Sequence, residues 1–124
     1  MTKQTNGEWG YWIYDVNNLG CSEIDAQGLI NDGHPTMLRN KSVFVSDTYP
    51  LEHSCQALFL YDMHARKKET IFEGFSDPRL YIEKRCDLHP KISKGKNLIN
   101  VDSTYKGGVR SVILLKMKED KYDV

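Results

Sequence analysis

Long apolar runs are what this 124-residue chain most lacks. No stretch approaches the roughly 20 residues that a membrane helix needs, and Met1 to Gly10 holds no apolar core of an export signal. No window sustains an apolar stripe of helical period, so helix is expected to be a minor component at most. Net charge is missing too, because seventeen basic side chains offset seventeen acidic ones and no block of like charge stands out. That argues against nucleic acid as a partner and against a charged tail. Cysteine is scarce, and Cys21, Cys55 and Cys86 fall in no metal-like spacing. Such a set is expected to be reduced, unpaired and semi-buried, which points to a reducing compartment and a cytoplasmic protein. Also absent are a Gly-rich phosphate loop, a Gly-x-Ser-x-Gly elbow, a His-Glu-x-x-His run and a Cys-x-x-Cys pair.

What the chain does have is internal repetition. His34-Pro35 is followed thirteen positions later by Asp47-Thr48-Tyr49, and His89-Pro90 at the same spacing by Asp102-Ser103-Thr104-Tyr105. The offset between the two is fifty-five residues. Leu58-Phe59-Leu60-Tyr61-Asp62-Met63 and Val112-Ile113-Leu114-Leu115-Lys116-Met117 match at an offset of fifty-four. A unit of this size cannot bury its own apolar faces and so signals an array of stacked copies. Short apolar and β-branched runs bounded by polar turns predict strands near 35–38, 42–46, 57–62 and 69–73 in the central unit. Before it, Tyr14-Asp15-Val16 matches Tyr61-Asp62-Met63 at an offset of forty-seven, with Ile24 opposite Ile71.

Serial four-stranded antiparallel units predict an all-β chain of β-propeller blades, about two of them, in an incomplete ring. The expected division is a half blade over 8–30 supplying third and fourth strands, and a full blade over 31–74. An inter-blade link over 75–88 follows, then a final blade over 89–117 that lacks its fourth strand.

His34-Pro35-Thr36-Met37 through Ser46-Asp47, then Leu58-Phe59-Leu60-Tyr61-Asp62, resembles the WD40-like (PD40-type) repeat of TolB-like propellers. That repeat reads His-Pro, a turn with Asp-Gly, an apolar strand ending in Ser-Asp, then a strand ending in Asp. Arg39-Asn40-Lys41 departs from the usual Pro-Asp-Gly-Lys turn, and Ser93-Lys94-Gly95-Lys96 is closer to it. Arg85-Cys86-Asp87-Leu88-His89-Pro90 with Asp102-Ser103 is similar to the branch that includes oligogalacturonate lyases. The resemblance covers nearly the whole chain. Propellers of this kind close with about six to eight blades. The resemblance therefore implies missing blades or self-association to complete the ring, since open edges and bare blade faces favour aggregation.

In a propeller, inter-blade links and the loops joining second to third strands open on one face. That expectation gathers His34, His89, Asp32, Asp87, Asp47 and Asp102 around a funnel mouth, with Arg85 nearby. Imidazoles and carboxylates there could hold Mn²⁺ or Ca²⁺ through His34, His89 and Asp87. By the lyase resemblance, Arg85 and His89 become the catalytic candidates in a β-elimination from an acidic oligosaccharide. The link Gly74 to Arg85 is eight residues longer than its counterpart, since Asp62 to Asp87 spans twenty-five positions and Asp15 to Asp32 seventeen. Extra loop length is often binding surface. Arg79 and Tyr81 in it, with Asp47 and Asp102, are the substrate-binding candidates.

Each of these residues has a plainer reading. A His followed thirteen residues on by an Asp, in both copies, also suits a structural bond repeated in every blade. The long link also suits a solvated cap. Trp9 and Trp12 suit packing between blades, His64 a turn, and Gly107-Gly108 a tight hairpin. Two further functions stay open beside the carbohydrate-directed one: a non-catalytic protein-interaction platform, and an inactive truncated fragment.

Overall fold

The computed structural model describes residues 1–25, 28, 29, 31–39, 41–80, 84–95 and 97–118. Among the described residues ten strands form three antiparallel sheets, none of which closes on itself. The first sheet holds β1 (Thr2–Thr5), β2 (Glu8–Asp15) and β3 (Gly20–Ile24) in that order. The second holds β4 (Thr36–Met37), β5 (Val43–Asp47), β6 (Cys55–Asp62) and β7 (Lys67–Phe75), again in sequence order. The third holds β8 (Lys91–Ser93), β9 (Leu98–Lys106) and β10 (Val109–Lys116). The chain is all-β, with the build of incomplete β-propeller blades. No helix among the described residues is long and apolar enough to cross a membrane.

The middle sheet explains why its strands read as unbroken apolar runs: both of its faces are covered. Side chains alternate along a strand, so Val43, Val45, Leu58 and Leu60 face the third sheet and pack with Leu88, Ile99 and Val101. Phe44, Phe59 and Tyr61 point the other way and pack with Tyr11 and Leu29 of the first sheet's side. Tyr11 stacks on Phe44 at 5.1 Å, and its hydroxyl lies 3.2 Å from Ser46 Oγ. Each fully buried aliphatic side chain here contributes about 1.5–3 kcal/mol. A bulge in β7 opposite Leu58 and Phe59 lets consecutive Ile71 and Phe72 both reach the same cluster.

Two details differ from the sequence expectation. The first sheet has three strands rather than two, because β1, the polar Thr2–Thr5, pairs with β2. Its hydrophilic composition hides it from an apolar-pattern reading and suits an edge strand. Cys21 and Cys55 are exposed, and only Cys86 is buried. Tyr81, Asn40, Lys96 and the end at 119–124 lie outside the described residues.

Gly107-Gly108 forms the two-residue turn between β9 and β10, with φ of 62° and 81°, as a hairpin turn with two left-handed residues requires.

Candidate functional site

The site grows from the links between sheets. Asp32-Gly33-His34 leads into β4 and Asp87-Leu88-His89 into β8. Gly33 is required by proximity: a Cβ there would lie 2.2 Å from the Asp47 carbonyl oxygen and 2.9 Å from Ser46 Oγ. That contact brings the first link down onto the end of β5. Leu88 takes the matching place in the second link and is buried in the core between the second and third sheets.

Asp47, at the end of β5, ties both links together. Its Oδ1 accepts the His34 backbone N–H at 2.7 Å, and its Oδ2 accepts the His89 backbone N–H at 3.0 Å. His34 Nδ1 lies 3.0 Å from the same carboxylate, which is fully buried. A carboxylate accepts only, so Nδ1 is the ring nitrogen of His34 that donates to it. The register makes Thr2 the equivalent of Asp47, since Thr2 pairs with Tyr11 as Asp47 pairs with Leu58. Thr2 Oγ1 donates to Asp32, so in both sheets this register position meets the link that follows its sheet. The repeat stops there. Among the described residues no side-chain bond joins Asp102 to His89, and only a backbone bond, Asp102 N–H to Leu88 O at 2.9 Å, links the two segments.

His89 itself is exposed, with its ring 4.0 Å from that of His34 centroid to centroid. Its φ of 42° is unusual for a residue before proline and marks a backbone held by its surroundings. Potential ligand atoms of His34, Asp87 and His89 all lie within 4.8 Å of one another. Asp87 is also gripped by Arg85, Nε to Oδ1 at 2.7 Å and Nη2 to Oδ2 at 2.9 Å. Gln56 Nε2 adds a longer bond to Oδ1 at 3.4 Å. The Arg85 guanidinium lies over the Tyr49 ring, 4.2 Å from its centroid. The bond to Asp87 pushes the Arg85 pKa up, and burial, aided by Asp32 and Asp87, raises that of Tyr49.

An open cavity of about 340 Å³ adjoins this cluster, lined by Arg85, Asp87, His89, Asp102 and Arg110 among others. Four sequence candidates, Arg85, Asp87, His89 and Asp102, therefore meet at one cavity, with Arg110 beside them. Arg79 does not join them: it folds back on Asp77, Nη2 to Oδ2 at 2.6 Å, beside the turn at Gly108. Tyr81 lies outside the described residues. His64 sits in the turn after β6, its N–H bonded to Asp62, and shares nothing with the cluster.

Sequence reasoning missed Gln56 and Arg110. Gln56 is fully buried, and its Oε1 has no hydrogen-bond partner among the described residues. The signal was a polar residue on the core-facing register of β6, in phase with Leu58 and Leu60. Arg110 donates to the Lys84 carbonyl at 2.6 Å and the Arg85 carbonyl at 3.1 Å, and nothing in its own strand pattern points to that.

No family model, curated protein or solved structure matches this chain.

Proposed function

We propose that the funnel mouth of a TolB-like propeller unit binds an acidic oligosaccharide, assisted by a divalent cation on His34, His89 and Asp87. The observation that carries this reading is the convergence of those three side chains within 4.8 Å, beside a cavity edged by Arg85 and Arg110. The donor set fits a cation on two counts. Two imidazoles and one carboxylate suit Mn²⁺ better than Ca²⁺, which takes mostly oxygen. Asp47 also engages His34 Nδ1, which leaves Nε2 as the ring nitrogen for a metal, and a carboxylate is a usual second partner of a metal-bound histidine. The orphaned Gln56 Oε1 belongs to the amide that touches Asp87, a hard donor close by.

A bound cation would neutralise a uronate carboxylate and acidify the carbon beside it. Arg85 supplies a planar fork for that carboxylate. Elimination is the sharper form of the proposal. It moves the proton of the acidified carbon to a base, forms a C=C bond and expels the glycosidic oxygen. Arg85 is a poor base because Asp87 holds it protonated. His89 can serve only in a complex where His34 and Asp87 hold the cation without it, since one ring nitrogen cannot do both.

Mn²⁺ titration followed by electron paramagnetic resonance, with trigalacturonate added in a second series, tests the reading. One equivalent of Mn²⁺ is expected to bind, and His89→Ala to abolish binding with an unchanged circular dichroism melt, because the His89 ring makes no hydrogen bond among the described residues. A folded chain that binds no Mn²⁺ overturns the cation. Trigalacturonate binding that survives chelation supports a metal-free binding platform instead, and no binding of either supports an inactive fragment.

A further inference from the structure

Arg85 and a cation at this site compete for the same carboxylate. Asp87 is nearly buried, and Arg85 Nε, Arg85 Nη2 and Gln56 Nε2 already occupy three of the about four acceptor positions a carboxylate offers. A doubly charged ion among His34, His89 and Asp87 would also stand beside the guanidinium, where partial burial screens the repulsion poorly. The unliganded arrangement thus works against the cation.

The same geometry offers a way out. The Arg85 side chain is about one-third exposed and faces the cavity, lying flat on Tyr49. Its fork fits a ligand carboxylate as well as it fits Asp87. Arg110 meanwhile holds the backbone carbonyls of Lys84 and Arg85, so the exchange is a side-chain movement over the Tyr49 ring with the backbone at those two residues held.

We propose that Arg85 is a positioning residue that couples the two ligands. It clasps Asp87 when the site is empty, passes its fork to the carboxylate of an incoming uronate, and so releases Asp87 to the cation. The proposal rests on the cation reading above. Linkage makes the effect reciprocal, so the anion tightens the cation and the cation tightens the anion by the same factor.

The test is Mn²⁺ affinity, read as loss of the free-ion resonance signal, with and without galacturonate in wild type, Arg85→Ala and Arg85→Lys. Galacturonate is expected to tighten Mn²⁺ about tenfold in wild type, within the usual span of coupling factors. Arg85→Ala should bind Mn²⁺ tightly without galacturonate and ignore its addition, which also controls for chelation by the sugar. Arg85→Lys, which keeps the charge and loses the fork, should bind weakly in both conditions. Equal wild-type affinity with and without galacturonate overturns the coupling alone, even where Arg85→Ala does not fold. An Arg85→Ala that folds and binds no more tightly than wild type does the same. No Mn²⁺ binding in any form overturns the cation site and the coupling together.

Discussion

Asp47 illustrates how a single buried side chain can carry structural and functional weight at once. Its carboxylate accepts two backbone N–H groups from links separated by fifty-five residues, at 2.7 and 3.0 Å, and orients the His34 ring. Replacing it with alanine leaves two backbone donors, and the His34 ring donor, without that partner at the base of the site. Each lost backbone bond costs about 1–3 kcal/mol, so Asp47→Ala should lower stability by about 2–6 kcal/mol and be visible in a urea melt. A loss under about 1 kcal/mol would mean that water replaces the carboxylate easily. Histidine nitrogen spectra give the second readout. Wild type should show His34 with its proton on Nδ1, and the variant should lose that preference. The thirteen-residue spacing made His34 and Asp47 visible in the sequence as a pair. It could not show that Asp47 also reaches His89, because that bond depends on how two sheets stack. Nor could it show that the Asp102 copy lacks the bond, since identical residues in a repeat meet different neighbours at its two ends.

At the scale of elements, the strands were legible and the links were not. β5 and β6 announced themselves because both faces are buried, whereas β1 is polar and pairs by backbone alone. The long link after β7 was legible only as extra length. Its described part is organised by Asp77, whose carboxylate accepts the Arg79 N–H at 2.9 Å and the Arg79 guanidinium. Those bonds hold the Asp77 pKa down at about 2. A carboxyl whose folded pKa lies below its unfolded value stabilises the fold above the unfolded pKa, and loses that contribution as pH falls through the folded one. Asp77→Asn should therefore be less stable than wild type at neutral pH. The two should converge between about pH 4 and pH 2, a difference that urea melts at several pH values would reveal. Because the Arg79 side chain is mostly exposed, the gap should be small. Parallel curves over that range would show that the Asp77–Arg79 contact has no part in stability. The same contact explains why Arg79, plausible from sequence as a substrate ligand, is directed to the link itself: residues i and i+2 meet across a tight turn.

At the scale of the whole molecule, the repeat makes a comparison inside one chain. Leu60 and Leu114 are equivalent at an offset of fifty-four, yet Leu60 is 1% exposed and Leu114 64%. The third sheet covers the first of them, and no described residue covers the second. Sequence alone could not separate the two, because both sit in unbroken apolar runs and what covers a sheet face is set by the next sheet. Leu60→Ala should cost about 2–5 kcal/mol, as truncation in a packed core does. Leu114→Ala should fall within about 0.5 kcal/mol of wild type while the chain is monomeric. Melts at two protein concentrations, paired with light scattering, decide between a bare face and a covered one. A Leu114→Ala cost that approaches the Leu60 value and grows with concentration would mean that a second copy covers the face, since association stabilises by mass action. A cost that stays near zero at both concentrations would leave the third sheet bare. The cation-site measurements would then report on a single chain, without a contribution from a neighbouring copy.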